Sequence, residues 1–159
     1  MPNTYGDIYV QVVFAVKYRQ KLIDKSWRDE LNKYITGIIN RKGVKPLIVN
    51  CVSDHIHIFF AMKSNVLVAD LVRDVKRSST NFINDKKFLH CKFEWQSGYA
   101  FFSYSKKHVD SVYNYILNQE AHHQQKSFED EYIELMKTNE VEYEEQYLFD
   151  AVENKDTPN

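Results

Sequence analysis

The chain has 159 residues and a mass of 18.9 kDa, with 43% hydrophobic and 14% aromatic residues. That is enough apolar material for one folded domain, and it excludes whole-chain disorder, a collagen-like repeat and a disulfide-stapled miniprotein. The 21 basic and 22 acidic side chains leave a formal net charge of −1, which as an average argues against a phosphate-binding protein.

In chain order, Asp7 to Val16 (DIYVQVVFAV) alternates and is rich in β-branched and aromatic residues. It predicts a strand with Ile8, Val10, Val12 and Phe14 on one face. The basic cluster Lys17, Arg19 and Lys21 follows. Ser26 is a candidate helix cap, and Trp27, Leu31, Tyr34, Ile35 and Ile38 keep helical spacing to about Asn40. Gly43 supplies the usual glycine stop. Val44 to Val52 predicts a second strand, and Pro46 near its start suits an edge. Ser53 and Asp54 make a tight connection to a third, antiparallel strand, His55 to Met62 (HIHIFFAM).

Ser64 or Asn65 starts a second helix over about Val66 to Ile83. Leu67, Leu71, Val75 and Phe82 form its buried side, with Arg73, Lys76 and Arg77 on or beside the exposed side. A loop containing Lys86, Lys87 and Lys92 leads to a fourth strand near Tyr99 to Tyr104. Ser105 caps a third helix, about Lys106 to His123, and residues 127–159 begin helical and run out into a polar tail. The order β-α-β-β-α-β predicts an α+β fold. Its core is a ferredoxin-like (RRM-like), four-stranded antiparallel sheet, with the C-terminal helix on the opposite face or an edge.

No apolar run is long enough to span a membrane, and Met1 to Asp7 lacks the pattern of a secretory leader. Cys51 and Cys91 are far apart and form no CxxC pair. The expectation is a cytoplasmic protein with reduced thiols.

Two constellations carry chemistry. On a strand, residues two apart share a face, so His55 and His57 project together while Ile56, Ile58 and Phe60 enter the core. Such a pair is either two surface histidines or a rigid pair of ligands for a divalent cation. The chain has 6 histidines in all, so a same-face pair interrupting an apolar strand favours the ligand reading. On the third helix, Tyr115 and Gln119 are four apart and stack on one face, beside a stripe of Val109, Val112, Tyr113 and Ile116. Either this tyrosine is packed at a helix–sheet boundary, or it is a nucleophile next to a neutral oxygen ligand.

Together the pieces resemble a known pattern. The HIH of residues 55 to 57 is similar to the HUH motif (His, hydrophobic, His) of single-stranded DNA nucleases, and YILNQ of residues 115 to 119 resembles the catalytic-helix motif of single-tyrosine HUH transposases. VVFAVKYRQ, SDHIHIFF, WQSGYAFFSYS and NQEAHH fit the same family in the same order, over about Tyr9 to Phe128. WQSGYAFFSYS and NQEAHH resemble the REP-associated branch more than the minimal insertion-sequence enzymes.

The resemblance implies a transposase that nicks and rejoins single-stranded, hairpin-forming DNA. His55, His57 and Gln119 would hold one Mg²⁺ or Mn²⁺ ion, and Tyr115 would attack the scissile phosphate to give a 5′-phosphotyrosine link and a free 3′-hydroxyl. Residues 1–126 would be the transposase domain and 127–159 an acidic extension. Tyr113 is a competing nucleophile, but it lies roughly 160° round the helix from Tyr115. His122 and His123 lie one turn beyond Gln119, either as helpers or as a solvated helix end, and Asp54 reads as a turn or supporting residue. Homodimers and monomers both occur in the family.

DNA contacts are expected from the basic segments Lys17, Arg19 and Lys21, then Arg73, Lys76 and Arg77, then Lys86, Lys87 and Lys92, and Lys106 and Lys107. Tyr18, Trp95 and Tyr99 are candidates for base stacking. A non-catalytic, RRM-like nucleic-acid-binding module and a metal-dependent hydrolase without a covalent step are the alternatives. The charge divides accordingly: residues 1–126 carry a net +8 and residues 127–159 a net −9. The first part is basic as a phosphate-binding surface requires, and the acidic segment is expected to lie near it and compete with DNA.

Overall fold

The computed structural model describes residues 3–149. Four strands, β1 (Ile8–Ala15), β2 (Lys45–Cys51), β3 (His55–Met62) and β4 (Ala100–Tyr104), form one antiparallel sheet in the order β2-β3-β1-β4. This is the ferredoxin-like arrangement, with β1 and β3 central. The register places Val13 beside His57 on one side and beside Ala100 on the other. Pro46 sits on the edge strand β2, where a missing N–H costs no ladder bond, and a register shift follows between Pro46 and Ile48.

One face of the sheet is a continuous apolar core. Val10, Val12, Phe14, Ile56, Ile58 and Phe60 meet α1 (Lys25–Arg41) and α2 (Val68–Asp85) through Leu31, Ile35, Ile39, Leu71, Val75 and Ile83. Full burial of each such side chain contributes about 1.5–3 kcal/mol. Phe14 and Phe93 both meet the Trp95 ring edge-on, at 4.8 Å between centroids, and the indole N–H donates to Ser79 Oγ at 2.9 Å. Trp95 is therefore a core ring, not the base-stacking platform the sequence allowed.

Caps differ from expectation in detail. Asp24, not Ser26, begins α1, its carboxylate accepting from the Ser26 N–H. At the other end Gly43 N–H donates to Asn40 O and Val44 N–H to Ile39 O, with Gly43 at φ +76°. That is a Schellman closure, and the left-handed backbone explains the glycine. α2 starts after Leu67, with no side-chain cap.

The opposite face carries the C-terminal helices. α3 (Val109–Leu117) packs Val112 and Ile116 on Phe59, beside Leu47 and Ile48, over the β2–β3 half. The expected single helix over Lys106 to His123 is in fact broken. A 3-10 turn (Lys106–His108) precedes α3, Ser105 makes no capping bond, and the chain restarts at Asn118 as α4 (Gln119–Gln125). Asn50 of β2 explains the break locally: its amide donates to Ile116 O at 2.8 Å, satisfying a carbonyl that helix continuation would otherwise use.

α5 (Phe128–Thr138) covers the β1–β4 half, with Phe128, Tyr132 and Met136 packed on Val13, Ala15, Ala100 and Phe102. Ser127 Oγ accepts from Asp130 N–H and caps it. The segment after residue 126 thus shares a core with the sheet. A short α6 (Glu145–Leu148) ends the described chain. Residues 150–159, the far part of the acidic segment, lie outside the described residues, as do residues 1–2 of the expected leaderless start. Among the described residues no helix is long and apolar enough to cross a membrane.

Candidate active site

The alternation of β3 puts His55 and His57 on the face away from α1 and α2. Because α3 and α5 cover the two halves of that face, both imidazoles are fully buried between them. Each ring is oriented through its Nδ1. His55 Nδ1 lies 2.7 Å from Asp54 Oδ1, so an N–H there donates to the carboxylate. His57 Nδ1 lies 2.9 Å from the Gln11 side-chain amide nitrogen. Gln11 is in turn fixed by the Tyr104 hydroxyl, which donates to its Oε1 at 2.7 Å. Both Nε2 atoms therefore face the same volume. Asp54 accepts the Nδ1 proton of His55, whereas the Gln11 amide donates to His57 Nδ1 and so puts the proton of that ring on Nε2, facing Glu131.

Two further side chains enter that volume. Gln119, buried just after the helix break, brings Oε1 to 3.2 Å from His55 Nε2. Glu131 of α5 brings Oε1 to 2.7 Å from His57 Nε2 and 3.7 Å from His55 Nε2. Glu131 is only 2% exposed. Ligand atoms of His55, His57 and Glu131 all lie within 4.8 Å of one another, as do those of Asp54, His55 and His123. The buried Gln119 Nε2, Glu131 Oε2 and His123 Nδ1 have no hydrogen-bond partner.

The electrostatics are those of a tightly coupled cluster. Burial disfavours the charged form of His55, but hydrogen bonds and the charges of Asp54 and Glu131 outweigh it and raise the group to about 9. Burial dominates at His57 and lowers it, so that ring is held neutral. For Glu131, burial acts against ionisation, yet its contacts with both histidines hold the carboxyl well below the usual carboxylate range.

Tyr115 lies at the rim. Its ring is 5.9 Å from that of His57 and stacks at 5.0 Å on His122. It borders an open cleft of about 700 Å³ whose walls include Gln11, Tyr104, His108, Ser111 and Glu131. Burial, then the Glu131 charge, push its phenol above the ordinary tyrosine range. Tyr113 is not on the buried stripe, as the sequence suggested, but 38% exposed. The inward arc of α3 is set by Val112 and Ile116, which places Tyr115 at its edge and turns Tyr113 outward.

Lys17, Arg19, Arg73, Lys76 and Arg77, expected to contact DNA, have partners within the chain. Lys17, Arg19 and Lys76 gather at the segment from Glu94 to Gly98. Lys17 pairs with Glu94 at 3.0 Å, Arg19 donates to Gln96 Oε1 and to Glu129, and Lys76 donates to the carbonyls of Gln96 and Gly98. Arg73 and Arg77 instead flank Asp74 on α2, behind the sheet, at 3.3 and 3.0 Å. Tyr18 and Arg19 have φ of 58° and 53°, a strained turn that holds Arg19 toward α5.

Sequence reasoning missed Gln11 and Glu131. Gln11 is the one polar side chain in the IYVQVVFA run of β1, on the same face as the pair. Glu131 falls three residues after Phe128 and one before Tyr132, hence on the inward side of an amphipathic helix. Both signals were in the pattern, although the acidic composition of the segment concealed the second.

The site thus combines a ferredoxin-like sheet, a buried histidine pair, an amide oxygen beside it and a tyrosine at the rim. The family model described as "Transposase IS200 like" matches residues 4–119, and the chain belongs to that family of DNA-processing enzymes. No curated protein matches it. Among solved structures, the chain is similar to a candidate transposase from Deinococcus radiodurans R1. The TM-score is 0.61 and the identity 18%, over 75% of this chain and 95% of that one. It is also similar to a REP-associated tyrosine transposase bound to a REP hairpin, with a TM-score of 0.56 and 15% identity, over 77% of this chain and 73% of that one.

Proposed function

We propose that this protein is a DNA strand transferase that nicks and rejoins single-stranded, hairpin-forming DNA through Tyr115, with a divalent cation held by His55, His57 and Gln119. The observation that carries the reading is the convergence of both His Nε2 atoms and Gln119 Oε1 on one volume, with the Tyr115 ring 5.9 Å from that of His57. The residues fit a Mg²⁺ or Mn²⁺ ion. Two imidazole nitrogens and an amide oxygen suit such cations, Asp54 and Gln11 hold the rings from behind, and the site contains buried polar atoms without partners. When bound, the cation supplies Lewis-acid neutralisation of the scissile phosphate.

The chain's own residues do the rest. Tyr115 attacks phosphorus, its oxygen forms the phosphotyrosyl bond, and the bond to the 3′-oxygen breaks to leave a 3′-hydroxyl. The phenol must lose its proton to do so, and burial, then the Glu131 charge, disfavour that loss. His122, whose ring stacks on that of Tyr115, is the imidazole proposed to carry the proton away. The link conserves the phosphodiester bond energy, so the reverse attack rejoins DNA without ATP. The similarity to a transposase bound to a REP hairpin supports hairpin DNA as the partner.

The test is incubation with an end-labelled single-stranded hairpin and Mn²⁺. A covalent protein–DNA adduct is expected, lost in Tyr115→Phe and kept in Tyr113→Phe. Cleavage without an adduct would favour a hydrolase, and binding without cleavage in any metal would favour a non-catalytic module.

A further inference from the structure

We propose that Glu131 of α5 is a fourth protein ligand of the divalent cation, so that the acidic segment after residue 126 completes the metal site. This inference rests on the reading that His55 and His57 hold such an ion.

The carboxylate is placed as a ligand would be. Its Oε1 contacts both Nε2 atoms, the nitrogens left facing the site once Asp54 and Gln11 have taken the Nδ1 positions. The separations of 2.7, 3.2 and 3.7 Å among His57, Gln119, His55 and Glu131 donor atoms bracket the edge of an octahedron. With metal–ligand bonds near 2.1 Å that edge is about 3.0 Å. Its second oxygen is buried without a hydrogen-bond partner.

The position is also held firmly. Phe128, three residues earlier, packs on the His55 ring at 4.6 Å, and Tyr132 and Met136 anchor the helix in the sheet's own core. Glu129 and Asp130 in the same turn are exposed, so burial singles out Glu131 from its acidic neighbours. The other candidate trio, Asp54, His55 and His123, fits less well, because Asp54 is already bonded to the back of His55. Two imidazoles, an amide oxygen and a carboxylate oxygen would use four positions of six and leave two for phosphate and water. The carboxylate also lowers the net charge of the loaded site to +1.

The experiment is a Mn²⁺ titration of the full chain followed by the electron paramagnetic resonance signal of free ion, with no DNA present. Wild type is expected to take up one ion. Glu131→Gln should bind at least tenfold more weakly, Glu129→Gln should bind like wild type, and His57→Ala should not bind measurably. Equal affinity of wild type and Glu131→Gln, within twofold, would overturn the inference and leave the histidine site standing. Absence of binding by wild type would remove both. Should Glu131→Gln fail to fold, crystals of wild type soaked in Mn²⁺ decide the matter. An anomalous peak bonded to Glu131 supports the inference, and a peak on His55 and His57 with Glu131 turned away overturns it.

Discussion

The two faces of the sheet are built from alternate residues of the same strands, yet they are made for different ends. Toward α1 and α2 the strands present valine, isoleucine and phenylalanine, and the contact is apolar. Toward α3 and α5 the same strands present Gln11, His55 and His57 at the centre, and the apolar contact is split into two clusters on either side. A buried polar cluster contributes less to stability than apolar packing of the same volume and is costly when half satisfied. The first face therefore holds the fold, and the second uses that rigidity to keep a reactive cluster in place.

Substitutions on the two faces should separate these roles. The largest effect is expected at Tyr115. Its replacement by Phe should reduce adduct formation by on the order of 10⁴-fold or more, as removal of a nucleophile does, with the melting temperature unchanged. His57→Ala comes next and should affect both properties. It removes a cation ligand and the neutral ring that donates the closest hydrogen bond to Glu131, a loss of about 1–3 kcal/mol in the metal-free protein, read by chemical denaturation. Ile35→Ala, on the other face, should cost about 2–5 kcal/mol of stability while Mn²⁺ affinity at a permissive temperature stays at the wild-type value. A change in that affinity would break the separation of faces.

Chelation by EDTA should stop cleavage and lower the melting temperature toward that of the ion-free protein, since a ligand that binds only the native state stabilises it. Readdition of Mn²⁺ should restore both. The smallest effect is expected at Arg77, which is 68% exposed and behind the sheet, paired with Asp74. Arg77→Ala should change stability by no more than about 0.5 kcal/mol. If α2 contacts DNA at all, the same variant should reduce the dependence of binding on salt by about one unit of log–log slope.

Most of the fold could be read from the chain, because hydrophobic period and turn residues act locally. The alternation of DIYVQVVFAV and HIHIFFAM, the helical spacing from Trp27 to Ile38, and Gly43 each specify their own element. The histidine pair and Tyr115 were legible for the same reason, since strand and helix geometry fix which side chains share a face. What was not legible depended on partners distant in sequence. The break at Asn118 is set by Asn50 of β2, 66 residues from the Ile116 carbonyl it binds. The engagement of Lys17, Arg19 and Lys76 depends on Glu94, Gln96 and Gly98. Glu131 reaches His57 across 74 residues. Net charge by segment placed Glu131 in an acidic tail, whereas its position among Phe128, Tyr132 and Met136 places it inside.

Whether Tyr115 forms the covalent link is decided by mapping the residue to which DNA is attached. Wild-type protein trapped with a single-stranded hairpin and Mn²⁺, digested and sequenced by mass spectrometry, should yield one nucleotide-bearing peptide modified at Tyr115. A modification at Tyr113 or any other residue, or cleaved DNA with no modified peptide, would contradict it.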